Sequence, residues 1–196
     1  MERPLIIKIG GSLFPHAETI IQTITESRCN ALILPGGGLF ADQVRSTGAE
    51  GTTAHWMAIL GMEQYGWYLS EYGLEITYNP EFSGYPRVFL PYQYLIRWDP
   101  LPHSWEITSD TISAWFAHHL STDLLILKSI DQIRAEDIFL DQITSPVQTN
   151  DLDPAFIPFI LNHEISGQIV NGTIPEYIIM ALQGRPVPGT KFGIMI

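Results

Sequence analysis

Lysine is scarce in this chain, and its copies, Lys8, Lys128 and Lys191, each stand at or near the end of an apolar run beside small residues. Lys8 lies within Leu5-Ile6-Ile7-Lys8-Ile9, with Gly10-Gly11-Ser12 directly after it. Lys128 closes the run from Asp123 and precedes Ser129, and Lys191 follows Gly189-Thr190. A lysine inside a core strand costs several kcal/mol of desolvation unless an anion meets it. Glycines just beyond it let the backbone turn and offer bare N–H groups to that anion. Lysine beside such a loop is an arrangement that holds phosphate. Taken singly, Lys128 and Lys191 also fit strands emerging into solvent, but the three together point to an oxyanion ligand.

Two further stretches complete the constellation. Pro35-Gly36-Gly37-Gly38 ends a second apolar run, and Thr108-Ser109-Asp110 opens a helix. Asp110 has a purely structural account, because an acid in the first turn suits the helix dipole and Thr108 is a fair N-cap. It also has a chemical one. Phosphoryl transfer needs charge stabilisation and alignment more than covalent chemistry. Two loops of backbone donors would hold the moving group from two sides, while Lys8 and Lys191 neutralise oxygens on the donor. Asp110 between them would keep both ammonium groups aimed. Each preorganised donor of this kind lowers the barrier by roughly 3–4 kcal/mol. Magnesium would travel on the nucleotide phosphates and keep most of its water ligands.

Other chemistries have less behind them. No Gly-x-x-x-x-Gly-Lys-Ser/Thr loop and no nucleophile elbow occurs. Gly36-x-Gly38-x-x-Ala41 fits the dinucleotide spacing, yet Pro35 sits at the turn and no acid closes a second strand ~20 residues on. The six histidines form no metal-ligand spacing, and each reads as structural. A formal charge of −11 argues against a nucleic-acid partner, but not against a nucleotide, which needs only a local cluster of cations. Cys29 is the single cysteine, which leaves no disulfide framework and no cysteine zinc site. With no secretory leader after Met1-Glu2-Arg3-Pro4 and no apolar run of ~18 residues, the expectation is a soluble, cytoplasmic protein with no membrane partner.

The elements that must position these residues follow an α/β cadence. The chain of 196 residues is 45% hydrophobic and 16% charged, enough for a sizeable core. A strand at Leu5–Ile9 is followed by a helix from Pro15 to Arg28 carrying Ile20, Ile21 and Ile24, then by a strand at 31–34 and a helix at 39–47. A longer helix is expected over 52–71, capped by Thr52 or Thr53, with Trp56, Met57, Leu60 and Tyr68 available for one packing face. From Tyr78 to Pro102, prolines and aromatics predict short strands, clearest at 87–90, and an irregular loop that either walls a pocket or simply packs. A helix from Thr108 to about Leu120, a strand at 123–128, and a loop with one helical turn over 129–141 come next. Asp151 to Leu161 is proline-flanked. The chain then shows a strand at 168–171, a helix over 175–183 stopped by Gly184, and a strand over 191–196. Ligands of parallel sheets lie at the carboxyl ends of strands, where both glycine loops fall.

Lys8-Ile9-Gly10-Gly11-Ser12, Pro35-Gly36-Gly37-Gly38, Ile107-Thr108-Ser109-Asp110, Asp123 to Lys128 and Gly189-Thr190-Lys191 together resemble the amino acid kinase superfamily, in order and over nearly the whole chain. Acetylglutamate, aspartate, uridylate and isopentenyl phosphate kinases belong to it. The resemblance implies a three-layer αβα sandwich on an open, mainly parallel sheet, usually in homo-oligomers. It implies one domain, with an acceptor-binding half to about residue 105 and an ATP-binding half from about 106. Lys8, Asp110 and Lys191 would be catalytic. Gly10, Gly11, Ser12, Lys128, Ser129 and Asp131 would serve ATP and its Mg2+. Gly36, Gly37, Gly38, Arg45, His103, Trp105 and Thr108 would serve the acceptor. Asp131-Gln132 stands where these kinases usually carry Asp-Gly, and the Ser129–Asn150 stretch that would cover adenine is short.

A narrower likeness lies in Pro35-Gly36-Gly37-Gly38-x-Phe40-Ala41-x-x-Val44-Arg45 and His103-Ser104-Trp105-x-Ile107-Thr108-Ser109-Asp110. These look like the small archaeal kinases of methanofuran biosynthesis, which phosphorylate aminomethylfuran-methyl phosphate to the diphosphate. Arg45 would meet the acceptor phosphate, and Trp105 with His103 its flat ring. The competing expectations are a non-catalytic nucleotide or oxyanion binder on the same fold, and a dinucleotide-dependent oxidoreductase.

Overall fold

A computed structural model describes residues 3–193. Seven helices and ten strands follow in chain order among them. They begin β1 Leu5–Ile9, α1 Ala17–Ser27, β2 Ala31–Pro35, α2 Gly38–Ser46 and α3 Gly51–Ser70. β3 Ile76–Thr77, β4 Arg87–Phe89, α4 Tyr92–Trp98, α5 Ser109–His119 and β5 Asp123–Lys128 come next. The remainder is β6 Ile133–Ala135, β7 Ile138–Leu140, β8 Gln142–Ile143, α6 Phe156–Asn162, β9 Gly167–Asn171, α7 Pro175–Leu182 and β10 Thr190–Phe192.

Eight strands make one sheet in the order β3-β4-β2-β1-β5-β9-β10-β8. Every pairing in it is parallel except that of β10 with β9. The central strands are apolar on both faces because both are covered, as parallel sheets require. Side-chain alternation divides them: Ile7, Ile9, Ile33, Leu125 and Leu127 pack with α1 and α7, whereas Ile6, Leu32, Leu34, Leu124 and Ile126 pack with α5 and α6. α3 contributes Ile59 and Met62 to the second cluster and Tyr65 and Leu69 to the first. This is a three-layer αβα sandwich, as expected.

Several elements differ from expectation. Pro15 lies in a short 3-10 turn, Gly11–His16, rather than in the first turn of α1. α3 buries Ala54, Ile59, Met62, Tyr65 and Leu69; of the expected face, Trp56 and Tyr68 pack half-buried against the core while Leu60 is exposed, and Glu50, without a side-chain cap bond, stands at the start of α3 in place of a threonine. α4 falls inside the stretch expected to be irregular. Pro91 precedes it and Asp99, in a left-handed conformation, ends it, so the prolines flank the helix instead of breaking it. The expected helical turn after β5 is a hairpin of β6 and β7. Glu136 and Asp137 both take positive φ at its tip, 48° and 73°, as a type I′ turn demands. β10 ends at Phe192, and the last three residues of the strand expected over 191–196 lie outside the described residues.

Candidate active site

The two glycine loops meet at the carboxyl ends of β1, β2 and β5. Gly10 N–H donates to Leu127 O at 2.9 Å and Gly36 N–H to Ile9 O at 2.8 Å, which extends the ladder one residue past each strand. A Cβ on Gly11 would stand 2.2 Å from the Gly38 Cα, so the backbones touch and no side chain fits between them. Gly38 itself has φ +51° and starts α2.

Alternation along β1 sends Lys8 to the same face as Ile6, the face covered by α5. There the Lys8 ammonium, 3% exposed, donates to Asp110 Oδ1 at 2.6 Å. The Lys128 ammonium donates to the other oxygen, Oδ2, at 3.0 Å. β1 and β5 are neighbours with Lys8 opposite Ile126, so Lys128, two residues on, points to the same face. Burial alone raises the Asp110 carboxyl, but the ammonium groups of Lys8 and then Lys128 outweigh it and hold the carboxyl at about 2. Burial, aided by the Lys128 charge, lowers Lys8 despite Asp110. Two ammonium groups converge on one carboxylate beside bare backbone donors, an arrangement whose chemistry suits an anion.

This geometry corrects one expectation. The ammonium that Asp110 holds opposite Lys8 belongs to Lys128, not Lys191. Lys191 is exposed on β10, which β9 separates from β5, and its backbone N–H donates to Asp141 O at 2.9 Å. Thr108 is the N-cap residue of α5, yet its hydroxyl does not cap the helix. Its hydroxyl and its N–H both donate to Asp153 Oδ2 at 2.9 Å. Thr111 N–H donates to the same oxygen at 3.0 Å, and the Thr111 hydroxyl donates to Oδ1. Asp153 therefore caps α5 from far along the chain. Its only sequence cue is the turn-forming Asp-Pro pair it makes with Pro154.

A cavity of about 460 Å³ opens from the lysines. Gly11, Ser12, Gly37, Gly38 and Thr108 line it together with Lys8, Asp110 and Lys128, as do Arg45, Trp105 and the apolar Ile59, Met62, Ile107 and Ile112. The Arg45 guanidinium lies over the Trp105 ring, 4.3 Å from its centroid, and is paired with Asp42 at 3.2 Å. His103 does not line this cavity. Its Nε2 meets Asp99 at 2.7 Å and its Nδ1 meets the Thr52 hydroxyl at 3.0 Å, while its ring stacks on His55 at 4.3 Å. His55 is the histidine in the cavity wall, and burial together with neighbouring His103 lowers it to about 4, so it is neutral at pH 7. None of residues 78–102 is among those lining this cavity; Val88, Phe89, Leu90 and Leu95 of that stretch pack into the core, while Tyr78, Tyr85 and Trp98 are exposed. The residues expected on the nucleotide side lie past β1 and β5. Ser129 Oγ donates to Ser12 Oγ at 2.9 Å, and Asp131 accepts from Asn171 Nδ2 at 2.7 Å. Gln132 Nε2 donates to Asp141 at 2.7 Å, where it helps tie the hairpin to the sheet edge. Among the described residues no cluster of three or more metal-ligating side chains occurs, and no helix is long and apolar enough to cross a membrane.

No family model matches the chain. The [5-(aminomethyl)furan-3-yl]methyl phosphate kinase of Methanocaldococcus jannaschii is 28% identical over 203 aligned positions, covering 92% of this chain and 93% of that protein. The uridylate kinase of Archaeoglobus fulgidus has a similar structure, with a TM-score of 0.69, 16% identity and coverage of 97% and 100% of the two chains. The UMP kinase of Ureaplasma parvum superposes with a TM-score of 0.74 at 14% identity, covering 99% of this chain and 100% of its own. The chain therefore has the amino acid kinase fold, and over its length it is similar to kinases of that superfamily.

Proposed function

We propose that this protein is an ATP-dependent kinase that transfers the γ-phosphoryl group to a phosphorylated small-molecule acceptor, [5-(aminomethyl)furan-3-yl]methyl phosphate, forming the diphosphate. The observation that carries this is the Asp110 carboxylate shared by Lys8 and Lys128 where two glycine loops touch. An acceptor phosphate oxygen attacks the γ-phosphorus in line, the bond to the β-phosphate oxygen breaks, and ADP leaves. The attacking oxygen is already anionic, so no general base is needed. Asp110, held ionised, orients the two ammonium groups instead of moving a proton. Lys8 and Lys128 neutralise charge on the transferring group, and the loop N–H groups supply donors that need no reorganisation. Magnesium carried by the nucleotide phosphates would supply further neutralisation. Arg45 meets the acceptor phosphate, and Trp105 offers its ring to the furan. The acceptor occupies the N-terminal half and ATP the C-terminal half. Exposed Leu60 and Trp67, seven residues apart on α3, support self-association.

ADP release with Mg-ATP tests this, with the furan phosphate, isopentenyl phosphate and UMP as acceptors. Turnover confined to the furan phosphate is expected. Turnover on another phosphate keeps the chemistry and replaces the acceptor. ATP-induced thermal stabilisation without turnover on any acceptor favours a non-catalytic binding protein.

A further inference from the structure

The first turn of α5 carries Asp110, yet nothing within α5 caps it. We propose that Asp153 is a positioning residue for phosphoryl transfer, fixing the first turn of α5 so that Asp110 stands between Lys8 and Lys128. This rests on the kinase function proposed above.

Asp153, 8% exposed, spends both carboxylate oxygens on four donors from Thr108 and Thr111, the residues on either side of Ser109-Asp110. Two of these are backbone N–H groups at the start of the helix, where no carbonyl of the helix can reach. The turn around Asp153 is itself held down. Ala155 N–H donates to Glu106 O at 3.1 Å, and Phe156 N–H donates to Asp153 O at 3.1 Å. Its upstream neighbour Asp151 accepts from Arg134 N–H at 2.7 Å, which ties the turn to the β6–β7 hairpin. The segment 104–111, with Trp105 and Asp110 on it, is thus fastened at Glu106, Thr108 and Thr111. Asp153 is not among the residues that line that cavity; it bonds the turn that carries Asp110, and its charge also bears on Lys8. A misplacement of about 1 Å at a charge-orienting group can cost about 10²-fold in rate.

The test is Asp153→Asn, which keeps the shape but removes the charge that strengthens three bonds at one oxygen and sets an amide NH2 against the Thr111 hydroxyl, which must turn round to accept. On folded protein the expected result is a fall in kcat of roughly 10- to 10²-fold with both KM values within about twofold of wild type. Thr111→Val, which removes one donor, should lower kcat in the same direction by a smaller factor, and it decides the matter if Asp153→Asn does not fold. An unchanged kcat in a folded variant, with only a lowered Tm or a raised KM, would overturn the proposal and leave Asp153 a structural cap. If the wild-type protein turns over no acceptor, the kinase function fails first. The 15N NMR signals of the Lys8 and Lys128 ammonium groups then still report on Asp110: both should shift in Thr111→Val, and unchanged signals would overturn the positioning role.

Discussion

Replacing Asp110 by Asn removes one negative charge and almost no volume. Two ammonium groups, at 2.6 and 3.0 Å from the carboxylate, lose the acidic group that pairs with both. Lys8 is buried and cannot turn to solvent, whereas Lys128 is partly exposed and can. Leaving a buried charge without its partner costs about 3–5 kcal/mol. The loss has a ceiling, because Lys8 can shed its proton; bringing a lysine from its ordinary pKa to neutral at pH 7 costs about 5 kcal/mol. Asp110→Asn should therefore be about 3–5 kcal/mol less stable at pH 7. The sign of the pH dependence follows from Lys8, whose pKa burial already lowers. In the variant it falls further below the unfolded value, so the unfolded state binds more protons across the alkaline range. Stability of the variant then rises with pH, and its deficit against wild type narrows toward pH 10. Urea unfolding of both proteins, followed by tryptophan fluorescence at pH 7 and pH 10, measures it. A deficit below about 1 kcal/mol at pH 7, or one that does not shrink at pH 10, would show that the carboxylate does not offset buried lysine charge.

Three further outcomes are expected. The Asp110 carboxyl is held at about 2 against an ordinary value of 3.8, so its contribution is present above pH 3.8 and lost as pH falls through 2; this is about 2 kcal/mol, and acid unfolding of wild type should lose that much more than Asp110→Asn over the same range. Lys128→Met should cut turnover at least ~10²-fold while Lys191→Met stays within about threefold, and steady-state ADP release with the reverse ranking would return Lys191 to the site. Gly11→Ala should abolish turnover and lower Tm, because its methyl group would meet the Gly38 backbone at 2.2 Å; calorimetry showing wild-type Tm would mean that the loops part easily.

Much of the site was legible because its residues are chemically out of place. Lys8 in an apolar strand and glycines at two strand ends pointed to an anion before any neighbour was known. The partner of Asp110 was not legible in the same way. Lys128 and Lys191 both end apolar runs, and only the sheet order, with β5 beside β1, selects Lys128. His55 gave no cue either, since its place in the cavity wall depends on how α3 packs against 103–107. Asp153 was hidden for a related reason: a cap from forty residues away carries no local spacing. The α4 helix and the β6–β7 hairpin were missed on local grounds, the first because its prolines flank it and the second because Glu136-Asp137 is an unusual pair for its turn. Periodicity and glycine position convey elements and strand ends, while contacts between strands far apart in the chain need the fold.

The central claim, transfer from ATP to a phosphate oxygen, is tested most directly by 31P NMR of the wild-type protein with Mg-ATP and [5-(aminomethyl)furan-3-yl]methyl phosphate. The expected result is loss of the monophosphate singlet and of the ATP γ signal, with two new coupled doublets of a diphosphate ester growing in step with ADP. An unchanged monophosphate singlet, with ATP intact or converted only to ADP and inorganic phosphate, would contradict it.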